Sequence, residues 1–349
     1  MNIAHIADNL VIGGLETYIA TLLNKLSDNK DNNIHLITQA ISAEMTQMLS
    51  PDVKVFIKEY CDNTHNEYVE YLKLNNIELI NSHPNEALGI SIILKRILNI
   101  PVVFTYHGLW AWNYKCHAEV DKLIAVSNEV KGMLINCPEL NGKIEVIQSG
   151  INTDKIFDNY RENSFDDKLN ILFVGRIDAD KFFAIKVIIA ALKNMNKNIV
   201  LKIAGHGSHY DELQLHIEKE GVTENVKLYG YVSDMNRVLN NADIVISTGR
   251  GIKEAMLCGT TCISMDCNFY DGIVSKDNIQ TLEYANFSGR SITKVTANVD
   301  VIARDITILS DAIKRLELGE WSKTYALANY TCDNFVDKHV EIYKNILNI

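Results

Sequence analysis

Five segments of this 349-residue chain set glycine beside charged or aromatic side chains directly after an apolar run. Arg176 and Lys181 bracket the loop Gly175-Arg176-Ile177-Asp178-Ala179-Asp180-Lys181, which leaves a strand-like stretch and enters a helical one. Two cations beside the exposed N–H groups of a helix start suit a diphosphate. Gly13 and Gly14 open the first helical stretch, where a bare backbone lets an anion come close. Gly205-His206-Gly207 offers the same absence of side chains after a third run. Gly249-Arg250-Gly251 leads into a helix that carries Glu254 in its first turns, a carboxylate able to accept the paired hydroxyls of a ribose. His107-Gly108 ends another run, and Trp110, Trp112 and Tyr114 beyond it are aromatic faces on which a sugar could stack. Each segment also has a plainer reading. Glycine pairs make tight turns, a single histidine is often structural, the aromatics could be a packed lid, and an acid near a helix start is favoured by the dipole alone.

What unites the five is position. Strands are expected at 2–7, 33–38, 53–57, 77–81, 102–106, 121–126 and 144–147, then at 169–175, 199–204, 225–229, 242–246 and 260–263. Helices are expected at 15–27, 64–75, 86–98, 127–136, 181–193, 209–219, 249–257, 302–315 and 335–347. In 181–193, for instance, Phe182, Ile185, Ile189 and Leu192 share one face. Such alternation is the pattern of βα units on parallel sheets, and these bind ligands outside the carboxyl ends of their strands. All five loops fall on that edge. The polar stretch NTDKIFDNYRENSFDDK at 152–168 reads as a linker. It sets the expected domains at 1–158 and 159–332, with the last helix, inside 333–349, packing back on the first.

Composition limits the alternatives. Net charge is -10, from 34 Lys+Arg and 44 Asp+Glu, which disfavours duplex binding because phosphate contacts need clustered cations. Residues 1–158 carry 12 Lys+Arg against 19 Asp+Glu, a poor match to an anionic membrane surface. Lys95-Arg96 reads as the basic end of a crossover helix rather than a docking patch, so membrane contact is at most peripheral. No uncharged stretch reaches about 18 apolar residues. Met1–Ile6 reads as a strand, not a signal peptide. Seven irregularly spaced cysteines read as reduced thiols of a cytoplasmic protein. Cys258, Cys262 and Cys267 form no CxxC pair, and Asp178-Ala179-Asp180 spells DxD inside a loop that already serves phosphate. No metal and no cofactor are expected.

With those residues in view, the chain resembles the retaining, nucleotide-sugar-dependent GT-B glycosyltransferases of family four over nearly its whole length. GGLE at 13–16 resembles the family's glycine loop, and His107-Gly108 its cleft histidine. VIQSGINTDKIF at 146–157 resembles the hinge signature. VGRIDADK at 174–181 resembles the phosphate motif, GYV at 230–232 the base-contacting turn, and EAMLCGTTCIS at 254–264 the segment after the ribose-binding Glu. The resemblance implies an α/β GT-B fold, two Rossmann-like doubly wound parallel-sheet domains facing across a cleft. It implies that Arg176 and Lys181 hold a donor diphosphate, that Glu254 takes the ribose, that the backbone near Tyr231-Val232 holds the base, and that His107 touches the donor sugar. Two departures stand out. The family's Glu, seven residues, Glu pattern would need a carboxylate at 246, and the residue is Ile246. Phe182 stands where glycine usually follows the Lys. The sequence thus resembles a subgroup with a Gly-Arg pair before the EAM helix and a downstream NFSGR element at 286–290, in which Arg250 would serve the phosphates or a charged donor.

The expected activity is transfer of a sugar from a nucleotide-diphosphate sugar, UDP-linked by family frequency, to an acceptor hydroxyl with retention. The acceptor would be a glycan, a lipid-linked saccharide or a protein, in keeping with cell-envelope glycan synthesis, and no nucleic acid is involved. Arg176, Lys181 and a helix N-terminus would stabilise the departing diphosphate, each such contact being worth about 3–4 kcal/mol. The leaving phosphate oxygen would take the acceptor's proton. A second class stays open: a non-catalytic GT-B subunit or glycan-binding adaptor, motivated by the missing upstream Glu. A sugar epimerase lacks a convincing carboxylate set, and a dehydrogenase lacks a full G-x-G-x-x-G.

Overall fold

The computed structural model describes the chain except residues 12, 62–64, 85, 110–117, 136–137, 141, 154–167, 196–197 and 291–294. The described residues form two compact units, Met1–Gly150 with Cys332–Ile349, and Ile151–Thr331. The division falls at Gly150/Ile151, eight residues before the expected 158/159. Most of the 152–168 stretch, including the end of the hinge-like segment, lies outside the described residues.

The first unit is built on seven strands, β1 (Asn2–Ala7), β2 (Asn33–Thr38), β3 (Lys54–Ile57), β4 (Leu79–Ser82), β5 (Val102–Tyr106), β6 (Lys122–Ala125) and β7 (Ile144–Val146). They pair in parallel in the order β3-β2-β1-β4-β5-β6-β7. Helices cover parallel sheets on both faces, which is why central strands such as β5, VVFTY, are buried at every position instead of alternating. The order reverses between β1 and β4, so the switch point lies beside Asp8 and His83. Asp8 fills the start of the helix Glu86–Leu98, accepting from the N–H groups of Glu86 (3.1 Å) and Ala87 (2.8 Å). The last helix, Cys332–Leu347, completes this unit by packing Phe335, Ile342 and Tyr343 into its core. Gly150 meets it so closely that a Cβ would sit 2.5 Å from Phe335 Cβ.

The second unit carries β8 (Leu169–Val174), β9 (Ile199–Ala204), β10 (Val226–Gly230), β11 (Ile244–Ser247), β12 (Thr261–Met265) and β13 (Tyr270–Ile273), ordered β10-β9-β8-β11-β12-β13. Its switch point lies between β8 and β11. Two expectations are corrected here. β13 is an antiparallel edge strand that the pattern missed, since YDGI is short and broken by glycine; Tyr270 is held by its hydroxyl bond to Asp305 (2.8 Å). The single helix expected at 302–315 is two, Val299–Ile308 and Ala312–Asn329. Asp311 starts the second one, its carboxylate accepting from the N–H groups of Ile313 and Lys314. Gly319 in that helix touches Gly259, where a Cβ would meet a carbonyl oxygen at 2.2 Å.

One face of the first sheet buries polar groups. Tyr18, His339, Asn81, Thr105 and Tyr343 are all wholly or nearly wholly buried. His339 Nδ1 lies 2.8 Å from the Phe335 carbonyl, which only accepts, so Nδ1 carries the proton and Nε2 accepts from Tyr18 Oη at 3.0 Å. Asn81 Nδ2 donates to Tyr343 Oη (2.6 Å), and Asn81 Oδ1 accepts from Thr105 (3.0 Å). Burial first, then the neighbouring His339, holds His5 down at about 3, and burial holds His339 at about 4. Burial also pushes His83 well below the ordinary 6.5. An unfolded chain binds protons on these rings near pH 6.5 and the native one does not, so stability is intact above about 6.5 and falls as pH drops toward 4. The melting temperature is therefore expected to decline from pH 7 to pH 4, and more shallowly in His339→Phe; equal slopes in the two proteins would contradict the assignment.

Candidate functional site

At the carboxyl edge of the second sheet, two helices start beside the switch point: Ala179–Lys193 after β8 and Arg250–Leu257 after β11. A helix start leaves its first N–H groups without intrahelical partners, and those groups attract anions. Asp178 occupies the N-cap of the first helix but makes no side-chain cap bond. Its carboxylate accepts instead from Arg176 Nε (2.7 Å) and from Ser208 N (3.3 Å) and Oγ (3.1 Å). Its own desolvation opposes ionisation, but the Ser208 hydrogen bonds and the Arg176 guanidinium hold its carboxyl below the usual range. Gly249, the N-cap of the second helix, has no side chain to offer and takes φ +54, a left-handed conformation suited to glycine.

Four cations at this edge meet carboxylates among the described residues. Arg176 pairs with Asp178 while its side chain stays 64% exposed. Arg250 Nε pairs with Glu254 Oε1 at 2.8 Å, one turn apart. Lys181 Nζ lies 2.7 Å from Asp266 Oδ1, with side chains only 17% and 13% exposed, and Arg290 Nη1 lies 3.7 Å from Asp266 Oδ2. Burial raises the Asp266 carboxyl, but Lys181 foremost among its partners more than offsets this and holds it below the ordinary value. These pairs differ in how easily an anion replaces the carboxylate. An exposed pair such as Arg176–Asp178 is worth about 0–1 kcal/mol, so exchange is cheap. The Lys181–Asp266 pair is mostly out of water, and breaking it strands a charge.

Gly205 and Gly207 have a reason other than an approaching ligand. A Cβ at Gly205, which has φ +152, would fall 1.9 Å from the Gly175 carbonyl oxygen, and one at Gly207 would fall 2.5 Å from the Ile177 carbonyl oxygen. The glycines let the β9 loop lie on the β8 loop and brace Arg176. His206 between them stacks on Tyr210, with ring centroids 4.7 Å apart and planes at 12°. A Cβ at Gly251 would fall 2.3 Å from Ser247 Oγ. Tyr231, 57% exposed, and Val232 follow β10 and border an open groove of about 650 Å³ with Lys202 and Arg237. The downstream 286–290 element packs here as well: the Gly249 N–H donates to the Phe287 carbonyl (2.7 Å), and a Cβ at Gly289 would fall 2.3 Å from Asp266 N. Ile246, where the family pattern would place a carboxylate, is a fully buried residue of β11.

In the first unit Gly13 is the N-cap of the helix Gly14–Asp28, and a Cβ there would meet the flexible Glu16 carboxylate at 2.5 Å, whereas Gly14 borders open space. His107 follows β5, partly exposed, with Nε2 3.0 Å from His83 Nδ1. Trp110, Trp112 and Tyr114 lie outside the described residues.

The DxD pair does not act as a unit: Asp178 turns to Arg176 and Ser208, while Asp180 has ligand atoms within 4.8 Å of those of Asp266 and Cys267. Lys181 and Arg290 on Asp266 compete with any metal at that group. Cys258 and Cys262 are buried free thiols, and burial pushes the Cys258 thiol up to about 12.

Lys253 is a residue that sequence reasoning missed. It is wholly buried beside Glu254, its ammonium 4.9 Å from the centre of the Tyr330 ring. Burial, opposed by the Glu283 carboxylate, brings it down from the ordinary 10.5 to about 7. The only sequence signal is a lysine on the face that also buries Met256 and Leu257.

Two stability measurements check this electrostatic picture. Lys181→Ala, which leaves Asp266 largely buried without its nearest cation, is expected to cost roughly 1–3 kcal/mol. Arg176→Ala is expected to stay within about 0.5 kcal/mol of wild type, and the opposite ranking in urea unfolding would refute it. The folded chain holds Lys253 neutral where the unfolded chain protonates it. Stability relative to Lys253→Met should therefore rise from about pH 7 to about 10.5 and level off on either side of that window; a flat difference across it would refute the buried amine.

Residues 12–155 match the family described as Glycosyltransferase Family 4, and residues 154–324 match Glycosyl transferases group 1. An uncharacterized glycosyltransferase of Methanocaldococcus jannaschii is 26% identical over 315 residues, 78% of this chain and 76% of that protein. An uncharacterized 41.2 kDa protein in the cps region of Klebsiella pneumoniae is 21% identical over 99% of this chain and 100% of its own length. Among solved structures, HepE of Anabaena in complex with UDP and glucose superposes with a TM-score of 0.77 at 17% identity, covering 99% of this chain and 100% of that one. Sucrose-phosphate synthase of Thermosynechococcus elongatus gives 0.76 at 16% identity over 99% of each chain. Among the described residues no helix is long and apolar enough to cross a membrane. The chain is thus a Glycosyltransferase Family 4 domain followed by a Glycosyl transferases group 1 domain, two Rossmann-like units of the GT-B glycosyltransferase fold.

Proposed function

We propose that the protein transfers a sugar from a nucleotide-diphosphate sugar, UDP-linked, to an acceptor hydroxyl with retention of configuration at the anomeric carbon. The observation that carries this reading is the pair of helix starts without side-chain caps at the β8/β11 switch point, with Arg176 exposed beside them. The diphosphate would lie on the N–H groups of the helix Ala179–Lys193 and take Arg176 from Asp178. Glu254 would exchange Arg250 for the ribose hydroxyls, so that one ligand breaks the Arg250–Glu254 pair and uses both halves. Lys181, held by Asp266, contributes its charge from a fixed position. Tyr231 and Val232 would flank the base. As the glycosidic bond ionises, negative charge grows on the diphosphate, and donors already in place stabilise it without reorganising. The acceptor's proton passes to the departing phosphate oxygen, so no protein base is needed. HepE, solved with UDP, and the cps-region relative make a UDP-linked donor and an envelope-glycan acceptor the first to test. A cytoplasmic location completes the proposal.

A second reading has its own observation. Ile246 is locked in the core where a donor-contacting carboxylate was expected, which favours a non-catalytic subunit or glycan-binding adaptor. One experiment separates the two. Saturating UDP should raise wild-type stability, by about 2.7 kcal/mol at 100 times its dissociation constant, and should do so much less for Arg176→Ala. Slow hydrolysis or transfer from a UDP-sugar, with product NMR showing the donor's anomeric configuration, supports the enzyme. Binding without turnover across a donor panel supports the adaptor, and no stabilisation by any nucleoside diphosphate defeats both the site and the transfer reading.

A further inference from the structure

The first unit contains a file of hydrogen-bonded imidazoles, of which the transfer reading uses only the outermost, His107. His5 Nδ1 lies 3.2 Å from His83 Nε2, and His83 Nδ1 lies 3.0 Å from His107 Nε2. Three neighbouring parallel strands supply them: His5 lies within β1, His83 directly follows β4, and His107 directly follows β5. His5 and His83 have no exposed surface, whereas His107 is partly exposed. The file therefore runs from the core to the carboxyl edge of the sheet. Tyr18, itself fixed by His339, sets its ring edge-on to His107 with centroids 4.7 Å apart, which holds the plane of the outer ring.

A neutral imidazole has one N–H and one lone pair, and the bond made at one nitrogen decides what the other carries. Burial keeps all three rings neutral. Two hydrogen bonds in series then allow only two settings, with every proton on Nδ1 or every proton on Nε2. The inner end separates them. His5 Nε2 is buried and has no hydrogen-bond partner. With protons on Nε2, that end is an orphaned buried N–H, which native proteins almost never tolerate; with protons on Nδ1 it is only an unused lone pair. At the outer end, His107 Nε2 is occupied by His83, which leaves Nδ1 with no hydrogen-bond partner among the described residues.

We propose that His5 and His83 are positioning residues that hold His107 in its Nδ1–H form, so that His107 offers a hydrogen bond to an oxygen lone pair of its ligand and takes no proton from it. The ligand class is a neutral or anionic oxygen acceptor, a sugar hydroxyl or phosphate oxygen of the donor. This ligand role rests on the transfer reading of His107, whereas the tautomer assignment does not. A free neutral imidazole prefers its proton on Nε2, so three rings in the other form are a distinctive signature.

Long-range proton–nitrogen correlation spectra of the full chain, labelled with 15N-histidine at neutral pH, read the tautomer directly. The expected result is Nδ1–H on His5, His83 and His107, with His107 moving toward the Nε2–H form in His83→Phe. Nε2–H on His107 in the wild-type spectrum overturns the proposal, and that measurement does not depend on any variant folding. Turnover of a UDP-sugar tests the ligand role separately. His107→Asn, whose amide N–H falls near the Nδ1 position, should stay within about tenfold of wild type, while His107→Gln should lose roughly 100-fold. If the spectra show Nδ1–H yet neither variant changes turnover, the ligand role is overturned and the tautomer assignment stands.

Discussion

Asp178 stands at the start of a helix and gives its carboxylate to Arg176 and Ser208 instead of to that helix. The chemistry assigned to the second unit depends on this choice. A carboxylate folded onto the first-turn N–H groups would stabilise the helix by roughly 1 kcal/mol and cover the groups proposed to bind the diphosphate. Turned away, it leaves the backbone amides open and parks Arg176 beside them in a weak, exposed pair. The glycines at 205 and 207 belong to the same arrangement, since any side chain there would push apart the two loops that hold Ser208 against Asp178.

The site is therefore a set of ion pairs of graded strength. Arg176–Asp178 is exposed and exchangeable, Arg250–Glu254 is intermediate, and Lys181–Asp266 is nearly out of water. A dianionic ligand arriving at such an edge competes first for Arg176 and last for Lys181. Arg290 on Asp266, and the close approach of Gly289 to the same residue, tie the 286–290 element to the rigid end of this series. Lys253, buried under Tyr330 one residue before Glu254, is the one amine of this series that burial draws toward its neutral form.

Much of this was legible in the sequence, for a physical reason. Parallel strands covered on both faces must be continuous apolar runs, and ligands gather where such strands end, so β1, β2, β5 and β9 and the loops after β8, β9 and β11 could be located from composition and order. Partners were not legible. Nothing in the sequence told that Lys181 would meet Asp266, 85 residues away, or that His5, His83 and His107 would align through three strands. The break at Asp311 was hidden because Ser310-Asp311 interrupts a stretch that keeps helical spacing on both sides. Gly205 and Gly207 read in the sequence as room for a ligand, whereas the structure gives them a packing role against the Gly175 and Ile177 carbonyls.

The most direct test of the central claim is a titration of UDP into 15N-labelled protein, followed through the backbone amides. The account requires the earliest and largest shifts at Ala179, Asp180 and Lys181 and at the start of the Arg250–Leu257 helix. Saturable binding that leaves those amides unmoved while perturbing others would contradict it.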